Sequence, residues 1–109
     1  MNTSYFAKYK GNNGVSIALK SPYWFKGDEY KELAPTPQLL SEYKSGLVDE
    51  NGYMMRYQWD VLDKLDPQKV YDDLKDKVLL CWEGKGKFCH RRLVANWIEH
   101  ELGIEVKEL

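Results

Sequence analysis

The chain has 109 residues, enough for one hydrophobic core and too few for two. Its 16 basic and 17 acidic residues leave a net charge of −1, which argues against a general nucleic-acid coat and leaves room only for a local basic patch. A hydrophobic share of 43% with 14% aromatics excludes the composition of a disordered chain.

In chain order, TSYFAKY at 3–9 is rich in β-favouring residues and predicts a strand. GNNG at 11–14 reads as a turn and VSIAL at 15–19 as a second, buried strand. KSPYWFKGDEYKELAP at 20–35 is an aromatic-rich loop, broken by Pro22 and bent at Gly27. Thr36-Pro37 is a helix start, a hydroxyl cap followed by a proline at the first position. That helix carries Leu39, Leu40 and Tyr43 on one face and stops at Gly46. A loop at 47–52 leads to a helix over 53–65 with Met54, Tyr57, Val61, Leu62 and Leu65 in one stripe. Asp66-Pro67 repeats the cap-and-proline signature for a helix carrying Val70, Tyr71 and Leu74.

KVLLCW at 77–82 is a continuous apolar run, suited to an interior strand of a parallel sheet. The next helix aligns Leu93, Val94, Trp97, Ile98 and Leu102 and ends at Gly103, and IEVKEL closes as an alternating strand. Strands at both ends with helices between them indicate an α/β class: a small, mostly parallel sheet with helices packed on it, in one domain over 1–109.

No apolar run approaches the length of a membrane span, and MNTSYFAKYK lacks the apolar region of a signal peptide. The expectation is a cytoplasmic protein with no membrane partner. Two cysteines in a reducing compartment are expected as thiols rather than a structural disulfide, although the seven residues between them could close a redox loop.

The chemistry concentrates in LLCWEGKGKFCHRRLVANW, 79–97. Cys81 ends a predicted strand, and Cys89, His90, Arg91 and Arg92 open a helix. Ligands of open α/β sheets bind beyond the carboxyl ends of the strands, and a helix start attracts anions. Lys85, Lys87, His90, Arg91 and Arg92 would strengthen that field, against the plainer reading of a solvated basic loop. A thiol at a helix start beside cations ionises readily, which makes Cys89 the candidate nucleophile, with His90 or Glu83 moving protons. Most cysteines do no chemistry, and the spacing of phosphate-loop phosphatases is broken by Lys87, six residues after Cys81, where they have arginine. Glu83 could meet a ribose or base, or pair with Arg91 or Arg92. Trp24 and Trp82 are candidate walls for a flat ring, the alternative being packing over the sheet edge. Zinc takes about four ligands, and His90 and His100 stand nearly three helical turns apart, so neither a metal nor a cofactor is expected.

CWEGKGKFCHRRLVANW resembles the bacterial and phage family called domain of unknown function 488, whose members carry a strand ending in Cys-x-Glu and then Cys-His-Arg opening a helix. The matching positions are Cys81, Glu83, Cys89, His90 and Arg91. SPYWFKGDEYKELAP is similar to the Ser-Pro-x-Trp and Leu-Ala-Pro region of the family's short members. The resemblance implies a small α/β domain and a shared site at the motif rather than a reaction. Similar short forms occur in phages and mobile elements, which implies a role in host–phage conflict, such as capture of a nucleotide signal.

Three readings follow. The first is a pocket for a small anionic, nucleotide-derived ligand, held by Arg91, Arg92, His90 and Lys87 with Glu83 at a polar edge. The second is an enzyme using Cys89, or the Cys81/Cys89 pair, as nucleophile or redox thiol. The third is a protein-interaction module using the aromatic loop 22–30. The sequence leaves open whether the site binds or reacts, and whether a second copy completes it.

Overall fold

The apolar run around Leu79 becomes the middle of the molecule. Val78–Cys81 (β4) is a strand buried at all four positions, with Asn2–Tyr5 (β1) on one side and Gly14–Ser16 (β2) on the other. A strand covered on both faces needs an apolar residue at every position rather than every second one, and VLLC supplies them. The computed structural model describes residues 1–84 and 86–109; Lys85, named above for its charge, lies outside the described residues. Asp28–Glu29 (β3) and Lys107–Glu108 (β5) complete a five-stranded sheet of order β3-β2-β4-β1-β5. Every pairing is parallel, so the expected α/β sheet is fully rather than mostly parallel.

Several strands are shorter than their β-favouring stretches. β1 stops at Tyr5 because the amides of Lys8 and Tyr9 turn back to its carbonyl, each at 3.1 Å. In the last stretch, the Val106 amide is taken by the Glu99 carboxylate at 2.8 Å, which leaves only Lys107–Glu108 in the ladder. β3 lies inside the segment read as a loop, and its two residues are exposed.

Pro37–Lys44 (α1) and Pro67–Leu74 (α3) begin where the cap-and-proline signatures place them. Thr36 Oγ1 accepts from the Leu39 amide at 3.1 Å, and an Asp66 oxygen from the Gln68 amide at 3.0 Å. Glu50–Asp60 (α2) starts earlier than the expected 53, because Asp49 accepts from the Gly52 amide at 2.8 Å and caps it. Its apolar stripe shifts accordingly: Tyr53 and Tyr57 are buried and Met54 is exposed. A tight turn at Leu62–Lys64 follows instead of further α-helix. His90–Leu102 (α4) ends at Gly103, whose φ of 69° is the left-handed conformation that glycine adopts without a Cβ clash.

Alternation along β4 divides the core. Leu79 and Cys81 face a cluster containing Leu39, Tyr57, Val70 and Ile98, one from each helix, while Val78 and Leu80 face a smaller one with Phe6 and Ala18. Among the described residues, no helix is long and apolar enough to cross a membrane.

Candidate functional site

Register and helix capping bring the sequence motif to one edge. Cys81 pairs with Tyr5 at the carboxyl ends of β4 and β1, and β2 leaves the sheet beside them through Ile17, Ala18 and Leu19. Cys89 is the N-cap of α4 in extended conformation, and its side chain makes no capping bond. A cavity of about 500 Å³ opens there. Its floor is Cys81, Cys89 and His90, all buried, and its walls include Tyr43, Tyr53, Phe88 and Trp82. The Phe88 ring stands perpendicular to Tyr53 at 5.3 Å and tilted to Tyr43 at 5.5 Å. Lys20, Lys44 and Glu83 form an exposed charged rim.

The floor is chemically specific. His90 Nε2 donates to the Ile17 carbonyl at 2.7 Å, since a carbonyl can only accept. That leaves Nδ1 as the free imidazole nitrogen, 3.8 Å from Cys89 Sγ. Burial pushes the His90 pKa down to about 4, against the carbonyl bond and with help from the Arg91 charge, so the ring is neutral at pH 7. The Sγ atoms of Cys81 and Cys89 are bonded to each other, which corrects the expectation of two free thiols. Their Cα atoms stand 7.2 Å apart, wider than the roughly 4.4–6.8 Å that disulfides usually span.

Arg91 is 1% exposed and is not among the residues that line the cavity. Its Nε and Nη2 grip the Glu108 carboxylate at 3.0 and 2.9 Å, a bidentate pair. Its Nη1 donates to the Glu83 carbonyl at 2.6 Å and to Cys81 Sγ at 3.1 Å. Arg92 is spent on Thr3 Oγ1 at 2.8 Å and the Val106 carbonyl at 3.2 Å.

A family model described as DUF488-N3a, the active DUF488-N3 subclade, matches residues 15–102. The chain belongs to that family. The match runs from β2 to the end of α4 and takes in the whole cavity lining. No curated protein and no solved structure matches the chain.

In this DUF488-N3 chain the residues singled out from the sequence part into two groups. Cys89, His90, Glu83 and Trp82 line the cavity. Arg91 and Arg92 do not: Arg91 is buried against Glu108, and the partly buried Arg92 is held by Thr3 and the Val106 carbonyl. The arginine expected to pair with the Glu83 carboxylate, Arg91, pairs with Glu108 instead, and Glu83 accepts from Arg91 through its main-chain carbonyl. Lys87 is exposed and off the lining. Trp24 packs edge-on against Phe6 at 6.3 Å on the other face of the sheet, with Lys10 over its ring. Trp82, which donates its indole N–H to the Lys20 carbonyl at 2.7 Å, is the tryptophan that reaches the cavity. In the aromatic loop, Tyr23 is 93% exposed and Phe25 packs on the Phe6 cluster. Sequence reading missed Tyr43, Tyr53 and Phe88 as walls, since their helical or loop positions gave no sign that they converge.

Proposed function

We propose that this chain is an enzyme acting on a small molecule with a flat ring, and that Cys81, Cys89 and His90 are its reactive centre. The observation that carries this reading is their convergence on the floor of a cavity whose walls are aromatic. In the reduced protein the Cys89 sulfur attacks an electrophilic carbon of the substrate as the bond from that carbon to its leaving group breaks, and the Cys89 proton is relayed through His90 Nδ1 onto the departing group. His90 begins neutral, as a base must, and its tautomer is fixed by the Ile17 carbonyl. The start of α4 favours negative charge on Cys89, and Arg91 favours it on Cys81. The word active in the description of the subclade accords with this reading.

A second reading, capture of an anionic, nucleotide-derived ligand by a phage-type sequestering protein, draws on Lys20 and Lys44 at the rim of the same ring-shaped slot. It no longer draws on Arg91 or Arg92. One experiment separates the two. The reduced protein is mixed with nucleotides, cyclic dinucleotides and ADP-ribose derivatives, freed of unbound material and heat-denatured, and the released molecules are weighed by mass spectrometry. A converted molecule from the wild type and an unconverted one from Cys89→Ser are expected. An intact ligand in stoichiometric amount from both proteins would establish capture instead.

A further inference from the structure

We propose that Cys81, Cys89 and His90 together hold a thiophilic divalent metal such as zinc, with one coordination position open to the cavity. The proposal rests on the reading of these residues as the working centre, and it changes the role of Cys89: a sulfur bound to metal is a ligand rather than a free nucleophile.

Geometry, surrounding bonds and charge converge on it. The three donor atoms lie within 4.8 Å of one another. On a tetrahedral zinc, bonds of about 2.3 Å to sulfur and 2.0–2.1 Å to nitrogen put two sulfurs about 3.8 Å apart and a sulfur and nitrogen about 3.6 Å apart. Cys89 Sγ and His90 Nδ1 stand at 3.8 Å already. The two sulfurs are bonded to each other in this structure and take a metal only once reduced; their backbone span of 7.2 Å, beyond the usual disulfide range, leaves room for them to part.

The surrounding groups are those that orient metal ligands. A ligating histidine commonly donates its other ring N–H to a carbonyl or carboxylate, and His90 donates to Ile17 at 2.7 Å. Cys81 Sγ receives an N–H from Arg91 at 3.1 Å. Charge completes the case. Arg91 is balanced by Glu108, so two thiolates on a buried floor would carry two uncompensated negative charges, which a divalent ion cancels. Three protein ligands with a free fourth position are the pattern of catalytic rather than structural zinc. The fourth position faces the aromatic cavity, where a water or a substrate oxygen or nitrogen would coordinate.

A closed zinc site takes four protein ligands, and His100 stands nearly three helical turns from His90. An open site needs three.

The test uses the full chain, reduced with a non-thiol reductant under argon and titrated with Co²⁺. The expected result is one cobalt per chain, with the intense visible bands of a tetrahedral ion and a thiolate-to-metal charge-transfer band. Both should vanish on addition of Zn²⁺ and be lost in Cys81→Ser. Because a floor variant can fail to fold, alkylation of the unaltered protein serves as the second measurement: one equivalent of Zn²⁺ should slow modification of both cysteines at least tenfold. Weak octahedral bands that persist in Cys81→Ser, or alkylation indifferent to Zn²⁺, would overturn the metal. Fast alkylation without a metal effect would leave the thiol enzyme standing, whereas conversion by Cys89→Ser would remove both.

Discussion

Cys89-His90 and Arg91-Arg92 are consecutive in the chain and do opposite work. The first pair lines the cavity, Cys89 bonded to Cys81 and His90 held by the Ile17 carbonyl with Nδ1 left toward Cys89; the second is consumed by Glu108, Thr3 and main-chain carbonyls. Successive residues of a helix point about 100° apart, so neighbours in sequence do not share a face. A basic cluster read as one anion cradle is therefore two devices. One is the cavity floor proposed as the reactive centre, and the other is the clamp that holds the loop after β4 and the strand β5 in place.

The largest break of this comparison is Arg91→Ala. It leaves the Glu108 carboxylate without its buried partner and frees the carbonyls of Glu83 and Gly84. A loss of about 3–5 kcal/mol is expected, read as a lower urea midpoint. A stable Arg91→Ala protein that had merely lost ligand binding would return the arginine to the cavity.

Acid sharpens the same contrast with a smaller effect. Burial alone would raise the Glu108 pKa, but hydrogen bonds from Arg91 and Thr3 and the charges of Arg91 and Arg92 bring it below its ordinary 4.5. A carboxylate whose folded pKa is depressed contributes stability above its unfolded value and loses it as pH falls through the folded one. The urea midpoint should therefore fall below about pH 4.5, and Glu108→Gln should flatten that fall. An equally steep fall in Glu108→Gln would assign the acid sensitivity elsewhere.

The smallest effect belongs to Lys87, which the sequence grouped with the arginines. It is exposed and off the cavity, so Lys87→Ala should stay within about 0.5 kcal/mol of wild type, with unchanged ligand recovery in the mass-spectrometric assay. A clear drop in recovery would extend the site outward along the loop.

Local chemistry was readable where one residue type decides an outcome. Thr36-Pro37, Asp66-Pro67 and Gly103 fixed helix ends, and VLLC announced an interior strand. The start of α2 was hidden because Asn51-Gly52 has the look of a turn, while Asp49 was in fact a cap. β3 carries only Asp28 and Glu29, polar residues with no alternation to show. In the site, Cys81, Cys89 and His90 were visible as a motif, but what Arg91 does was not. Its partner lies 17 residues away in a strand, and no local pattern joins them. The aromatic walls failed for the same reason: Tyr43, Tyr53 and Phe88 meet only through the packing of α1 and α2 over the sheet.

The Arg91–Glu108 clamp also couples β5 to the loop after β4. The loop after β4 is tied to Arg91, and Arg91 is neutralised by a residue made 17 positions later. A nascent chain halted at the end of α4 would hold both cysteines and the histidine, yet carry a buried cation with no counter-ion. A product truncated before β5 is therefore expected to fold less stably, with Arg91 buried and Glu108 missing.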